Sequence, residues 1–173
     1  MAMTESSREV GVVIRRRTID NPWVDHMWSP LMVLDEVPAT APWTMLSQDG
    51  DATMYYAGAA FIDLFSTDTS NYRDNLADGA PMIWVALRHQ DGGPELELTK
   101  VTADPTEGEA MFESGTDVIG TVPMPPDVAS WVAAFVDEFH IEREFHKRKR
   151  DRKSGDHKRE ADGGASGGRK DSA

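Results

Sequence analysis

The sequence predicts an α+β domain: a mainly antiparallel sheet with two short helices and a C-terminal amphipathic helix, followed by a disordered tail. Three observations indicate this class. Apolar residues alternate with period two in several short stretches. Turn sequences, DGD at 49–51 and DGGP at 91–94, join neighbouring stretches as hairpins do. Residues 126–141 carry apolar side chains at steps of three and four. Strands joined by tight turns pair antiparallel, which sets the expected sheet type.

The first part of the chain is predicted to supply three strands. Residues 1–8 are expected to be disordered, and 9–19 form the first strand because valine and isoleucine recur there with period two. A second strand is expected over 27–36, at an edge or with a bulge, because Pro30 lacks the N–H that a central strand needs. A short strand at 43–48 then leads into the DGD turn.

The next stretch combines strand and helix signals. Residues 52–66 are long for one strand, and we expect Gly58 to divide them into two strands joined by a tight turn. Ser66 or Thr67 is then expected to cap a short helix over 68–77, because a hydroxyl can accept from the free N–H groups of a first turn.

The remaining strands and the final helix follow from patterning. Residues 81–90 and 95–103 are predicted to form a hairpin through DGGP, with one face of the second strand exposed. A last strand is expected over 116–122. Pro126 or Asp127 is expected to begin the amphipathic helix, whose apolar stripe consists of Val128, Trp131, Val132, Phe135 and Phe139.

Residues 104–115 predict a second short helix with clear start signals. Asp104 is the expected N-cap, Pro105 the first helical residue, and Glu107 the acid of a capping box. Gly108 inside the helix costs about 1 kcal/mol relative to alanine, so the helix is expected to depend on packing.

Charge and composition place the domain boundaries. We predict a single domain over 9–146 and a disordered basic tail over 147–173, where alanine is the only apolar residue left. Residues 1–145 carry a formal charge of −17 and residues 146–173 carry +5, which gives the total of −12. An acidic body repels nucleic acid and anionic membranes at long range, so any contact with polyanions is expected from the tail.

The sequence lacks the residues that several classes of chemistry require. The chain has no cysteine, which excludes disulfides, thiolate zinc sites and a cysteine nucleophile. The sequence contains no HExxH pattern, no GxSxG elbow and no phosphate-binding glycine loop. We therefore predict no catalytic residues, no metal and no cofactor. With no secretory signal pattern and no apolar stretch of membrane-spanning length, a cytoplasmic location is expected.

The first motif of the chain is a candidate partner-binding surface. Tryptophan and arginine are favoured anchors at protein interfaces, and both are concentrated here beside turn-forming residues. The simpler interpretation is that one tryptophan belongs to the core and the other covers a sheet edge. The candidate residues are Arg15, Arg16, Arg17, Asp20, Asn21, Trp23, Asp25, His26 and Trp28.

A basic arm after the final helix is a second candidate contact. Phe145 is followed by Lys147, Arg148, Lys149 and Arg150. A solvated terminus is the commonest explanation of such a run. A basic segment beside an apolar anchor is also suited to docking on a protein partner, and nucleic-acid binding through the arm is a further alternative.

Three stretches resemble an uncharacterised bacterial family, domain of unknown function 3305. They are residues 12–30, 66–76 and 123–150, and the likeness covers roughly residues 9–150 in the same order. Members of this family tend to be encoded beside subunits and accessory proteins of molybdenum-dependent formate dehydrogenases. The resemblance therefore implies a non-enzymatic accessory protein that assists the maturation or assembly of such an enzyme, with one of its subunits or accessory proteins as partner.

The resemblance also leaves an enzymatic alternative open. Relatives are sometimes labelled as a molybdopterin-guanine dinucleotide biosynthesis protein, which implies a cofactor-biosynthesis enzyme or a cofactor carrier. Such a nucleotidyltransferase needs a glycine-rich phosphate loop after its first strand and a parallel sheet. The stretch 12–23 has no glycine loop, and the predicted hairpins favour antiparallel pairing.

Overall fold

Two antiparallel sheets of unequal width form the framework of the protein. The computed structural model describes residues 5–115 and 118–141. Sheet A has the strand order β2-β1-β4-β3, with bounds β1 Glu5–Thr18, β2 His26–Leu34, β3 Thr44–Asp49 and β4 Ala52–Phe65. Sheet B has the order β6-β5-β7, with bounds β5 Met82–His89, β6 Leu96–Thr102 and β7 Val118–Pro123.

Three α-helices within the described residues complete the fold. They are α1 Thr69–Ala77, which follows a 3-10 turn over Ser66–Asp68, α2 Pro105–Glu113 and α3 Pro126–Phe139. The predicted α+β class with antiparallel pairing is confirmed, although the strands divide between two sheets rather than forming one. The division occurs where α1 separates β4 from β5 along the chain.

The core lies between the sheets and α3. Val10, Val12 and Ile14 of β1 are fully buried, as are Ile83 and Val85 of β5, with further apolar contacts from α3. Strand β2 lies close to β7, and β4 lies close to β6. Because each buried valine or isoleucine side chain contributes about 1.5–3 kcal/mol, this shared core is what stabilises the two sheets against each other.

The outermost strand of sheet A stands apart from this core. All six residues of β3 are exposed, and β3 pairs only with β4 within the sheet order. Its ladder is interrupted by an irregularity between Met45 and Ser47. Strand β3 is thus held mainly by backbone hydrogen bonds along one side.

The start of strand β1 corrects the predicted N-terminal boundary. Residues 5–8 were expected to be disordered, but β1 begins at Glu5, and that residue pairs with Phe65 at the end of β4. The indole Nε1–H of Trp131 also donates to Ser6 Oγ at 3.2 Å. These residues are polar, so hydrophobic periodicity could not reveal a strand that the partner β4 stabilises through the backbone.

Strand β4 corrects the second prediction. Gly58 does not divide it, because β4 runs unbroken from Ala52 to Phe65. The register shifts instead, since Val12 pairs with Gly58 and Val13 pairs with Tyr56. The backbone of Gly58 has φ +127, a conformation that favours glycine and suits a β-bulge. Pro30 behaves as predicted, since β2 is an edge strand with a register shift between Val13 and Ile14.

The cap of α1 also differs from the prediction. Neither Ser66 nor Thr67 is the N-cap, because both lie in the 3-10 turn and the N-cap position is Asp68, which makes no side-chain capping bond. The helix is fixed instead from its buried side. Asn75 donates to the carbonyl oxygens of Met82 at 2.8 Å and Ala103 at 3.0 Å, which joins α1 to β5 and to the residue that follows β6.

Helix α2 confirms its predicted N-cap but not its capping box. Asp104 accepts from the N–H of Thr106 at 2.8 Å and of Glu107 at 3.5 Å. The N–H of Asp104 donates to Thr102 Oγ1, so Glu107 does not reach back to it. Glu107 accepts from the Thr102 hydroxyl and pairs with Lys100, which fixes α2 to β6.

The final helix follows its sequence pattern closely. It begins at Pro126, and Val128, Val132 and Phe135 of the predicted stripe are buried. Trp131 and Phe139 are partly buried against the same core. The predicted extension of the domain to residue 146 and the predicted tail over 147–173 lie outside the described residues and stay predictions.

Candidate interaction surface

The loop between β1 and β2 is shaped by local hydrogen bonds. Ile19 N–H donates to the carbonyl oxygen of Asp25 at 3.0 Å, which closes the loop at its base. Asn21 Oδ1 accepts from the N–H of Trp23 at 2.8 Å, an Asx turn of the kind that asparagine favours. The loop presents Trp23 to solvent with 88% of its surface exposed, beside exposed Val24 and Met27.

His26 connects this loop to the turn that joins β5 and β6. Its Nδ1 lies 2.7 Å from Asp25 Oδ1, and its Nε2 lies 2.9 Å from Glu95 Oε2. Both nitrogens can donate together only when the ring is the imidazolium cation, since a neutral imidazole has one N–H. With both nitrogens facing carboxylates, the ring links the loop to the turn between β5 and β6.

Trp28 lies at the centre of an aromatic cluster behind the loop. Its ring makes edge contacts with His26 at 5.7 Å and Trp43 at 6.0 Å between centroids, and a tilted contact with Tyr55 at 5.6 Å. The guanidinium carbon of Arg16 lies 5.7 Å from the Trp28 centroid and 5.5 Å from that of Tyr55. Cation–π contacts contribute about 0.5–2 kcal/mol, so Arg16 holds the cluster together.

Two features of this region indicate local strain. Trp43 has φ 69, a left-handed backbone conformation that costs a bulky residue about 1–3 kcal/mol. Within the described part of the chain, the Nε1 of Trp28 and the Nε of Arg15 are buried without a hydrogen-bond partner. Such groups are uncommon in interiors and are found often at functional positions.

An open cleft of about 700 Å³ lies between the loop and sheet B. Its lining is mixed, with exposed apolar side chains, two histidines and two carboxylates, and it includes no lysine or arginine. The lining residues are Asn21, Pro22, Trp23, Val24, Asp25, His26, Met27, Trp28, His89, Glu95 and Val118. Its volume falls within the range of about 300–1,000 Å³ that small-molecule sites have, and it is open to solvent.

The structure brings some of the predicted surface residues together and separates others. Asn21, Trp23, Asp25, His26 and Trp28 share the cleft. Arg16 lies behind Trp28, whereas Arg15, Arg17 and Asp20 are not among the lining residues. Phe145, Lys147, Arg148, Lys149 and Arg150 lie outside the described residues.

The two tryptophans of the first motif have different environments. Trp28 packs against the core, as the simpler interpretation expects for one of the pair. Trp23 is too exposed to cover a sheet edge. Among the large apolar side chains of residues 5–115 and 118–141, that of Trp23 has the largest exposed fraction.

Sequence reasoning missed the residues of this region that lie outside the first motif. Glu95 and His89 contribute to the cleft from the β5–β6 hairpin, and Trp43 and Tyr55 extend the aromatic cluster. The DGGP signal located the hairpin, but nothing in the sequence indicates that its end lies against a loop 69 residues away. Trp43 follows a proline-rich loop, and its neighbours in the sequence do not indicate that its ring lies against Trp28.

Among the described residues, the groups with shifted pKa values lie outside the lining of the cleft: burial and Glu9 raise the pKa of Tyr56 in β4, and the other two groups belong to the helical part of the fold. Burial raises the pKa of Tyr72 to about 12, although the Phe65 N–H that donates to its hydroxyl oxygen acts in the opposite direction. Burial, with the nearby carboxylates of Asp104 and Glu107, raises the pKa of Asp68. In residues 5–115 and 118–141, no group of three or more histidine, aspartate or glutamate side chains is placed to hold a metal ion.

The fold and the cleft define a small α+β domain of two antiparallel sheets with an open, tryptophan-bearing surface between a loop and a hairpin. Residues 9–149 match the family model described as "Protein of unknown function (DUF3305)", and the chain belongs to this family. No curated protein and no solved structure matches the chain. Among the described helices, none has the length and apolar character that crossing a membrane requires.

Proposed function

We propose that this protein is a non-enzymatic accessory protein that binds a partner protein through the cleft and Trp23. The observation that carries the proposal is the exposure of Trp23 on a loop whose base and flanks are fixed by hydrogen bonds. A loop whose backbone is already fixed loses less conformational entropy when a partner covers it, and tryptophan is among the residue types most enriched in binding hot spots.

The proposed partner is a subunit of a molybdenum-dependent formate dehydrogenase or one of its accessory proteins. This choice is supported by what resemblance to the family implies. The role would be assistance during maturation or assembly of that enzyme, with the arm that contains Phe145 and residues 147–150 as a second contact. The acidic character of residues 1–145 supports a protein partner over nucleic acid.

Affinity purification from cells that produce both proteins tests the proposal. The tagged chain is expressed with the dehydrogenase subunits, and capture is compared for wild type, Trp23→Ala and Phe112→Ala. Truncation of a hot-spot residue costs about 2 kcal/mol or more, so Trp23→Ala should weaken capture about thirtyfold. Phe112 is an aromatic residue on α2 with 50% exposure, and its variant should capture normally.

Equal capture by wild type and Trp23→Ala would remove the cleft from the proposal. A third variant that lacks residues 145–173 tests the arm separately, and it should retain the fold while capturing the partner less well. Unchanged capture by that variant would leave the cleft as the binding surface and exclude the arm.

The cleft volume favours one second candidate, a carrier or biosynthetic enzyme for the molybdopterin cofactor. Small-molecule sites commonly enclose about 300–1,000 Å³, and the cleft falls within this range. Its carboxylates Asp25 and Glu95 oppose a phosphate-bearing ligand, which places this candidate second. A pterin or nucleotide that copurifies with the protein, detected by absorbance and mass spectrometry, would favour it over the accessory role.

A further inference from the structure

Apart from two histidines, His26 and His89, which both lie beside Glu95, the charged side chains of the cleft are acidic. Asp25 and Glu95 are carboxylates, and no lysine or arginine belongs to the lining. The Asp25 side chain is 93% exposed. Its Oδ1 faces His26, whereas its Oδ2 makes no hydrogen bond within the described part of the chain. Asp25 Oδ2 is therefore available to accept a hydrogen bond from a bound partner.

The apolar and aromatic part of the cleft lies next to these carboxylates. Trp23, Val24 and Met27 are exposed in the same loop that carries Asp25. An indole face attracts a cation through its quadrupole, and tryptophan is the best such acceptor among side chains. A long side chain with an apolar stem and a cationic head fits this combination, because its stem covers the indole while its head reaches the carboxylates.

His26 fixes the spacing of the two carboxylates. Its ring stands between Asp25 and Glu95, with 2.7 Å to the first and 2.9 Å to the second. Trp28 supports the ring from its edge. Because the carboxylates are positioned before a partner arrives, the ordering entropy that binding would otherwise cost is reduced.

We propose that the cleft takes an arginine- or lysine-bearing segment of the partner protein, with the cationic head at Asp25 and Glu95 and the stem on Trp23. This inference rests on the proposed function and names the chemistry of the partner. We choose a cationic segment because of charge complementarity. An acidic segment or a nucleic acid would be repelled by the two carboxylates of the cleft and by the formal charge of −17 that residues 1–145 carry.

Binding of a defined peptide tests the charge requirement directly. The probe is acetyl-arginyl-leucyl-arginine amide, titrated into the full-length protein and followed by the indole N–H signal of Trp23 in NMR spectra. The matched peptide replaces both arginines by citrulline, which keeps the shape and removes the charge. The arginine peptide should bind several-fold more tightly, and its advantage should shrink as salt is raised. Equal affinity for both peptides would overturn the inference.

Two protein variants separate local charge from total charge. Asp25→Asn keeps an oxygen for the His26 contact but removes the charge, and it should weaken the arginine peptide about threefold, the scale of a partly exposed ion pair. Glu109→Gln removes one negative charge from an exposed position on α2 and should have no effect. Equal weakening by the two variants would also overturn the inference.

The same variants distinguish this inference from the proposed function. If Trp23→Ala weakens capture of the dehydrogenase partner while Asp25→Asn and the citrulline exchange change nothing, the surface is correct and its cationic occupant is wrong. If the Trp23→Ala protein also captures the partner normally, both the proposed surface and its proposed occupant are wrong.

Discussion

Replacing Gly108 by alanine tests how closely α2 packs on sheet B. A Cβ at this position would overlap Cγ and Cδ1 of the Trp84 ring and would lie 2.5 Å from its Cδ2. Favourable carbon contacts lie at about 3.5–4.0 Å, so the ring would have to move by about 1 Å. These atoms form the base of the indole, and a rotation of the side chain cannot withdraw them all.

The magnitude follows from two opposing effects. Alanine in place of glycine in a helix contributes about 1 kcal/mol of stability. Overpacking of a core costs about 1–3 kcal/mol, and the overlap with a ring base belongs to the upper part of that range. Gly108→Ala should therefore lower the free energy of unfolding by about 1–2 kcal/mol.

Urea unfolding followed by circular dichroism measures this difference. The control is Ala110→Gly, an exposed position in the same helix, which should lower the free energy of unfolding by about 1 kcal/mol through helix propensity alone. A Gly108→Ala protein that is more stable than wild type would refute the packing of α2 against Trp84.

Two further predictions concern the helical part of the fold. Asp104→Ala removes the cap of α2, which accepts from Thr106 and Glu107, and should cost about 1 kcal/mol in urea unfolding. Asp127→Ala on α3, where no side-chain capping bond forms, should cost about half as much or less; equal losses would contradict the role of the cap. The raised pKa of Tyr72 means that the folded state keeps the phenol proton longer than the unfolded chain, whose tyrosine pKa is 10.0. Its contribution to stability is thus complete below about pH 10 and is lost as pH rises to about 12, by at most about 1.4 kcal/mol per pH unit. Tyr72→Phe should flatten this part of the stability curve, and an unchanged slope would show that other groups cause it.

Much of the fold was accessible from sequence because its signals are local. The DGGP turn, the Asp104 cap and the stripe of α3 each depend on residues a few positions apart, and the structure contains all three. The division into two sheets was not accessible, because it depends on which strands meet across long separations. Gly58 was misassigned for a related reason: a tight turn and a β-bulge both use a backbone that favours glycine, and only the pairing of β4 with β1 distinguishes them.

The same contrast between local and long-range signals applies to the residues of the candidate surface. Trp23, Asp25 and His26 were found because they are neighbours in one unusual motif. Glu95 was assigned only to an exposed strand face, since its contact with His26 arises from the approach of a distant hairpin. The sequence could not show that Trp23 is exposed and Trp28 is partly buried. Trp28 lies in β2, whose pleat directs its side chain toward Arg16 and Tyr55. Trp23 lies in the loop that precedes this strand.

The unsupported position of β3 has a consequence for how this protein behaves in concentrated solution. An outer strand with one unpaired side is a template for strand addition between molecules, and β3 carries the exposed apolar side chains Met45 and Leu46. The register shift between Met45 and Ser47 disrupts the regular spacing of backbone hydrogen-bonding groups that an added strand would need. Mutual repulsion between acidic bodies adds a second barrier, one that salt weakens. Self-association through this edge should therefore be governed by ionic strength, with low salt keeping the molecules apart.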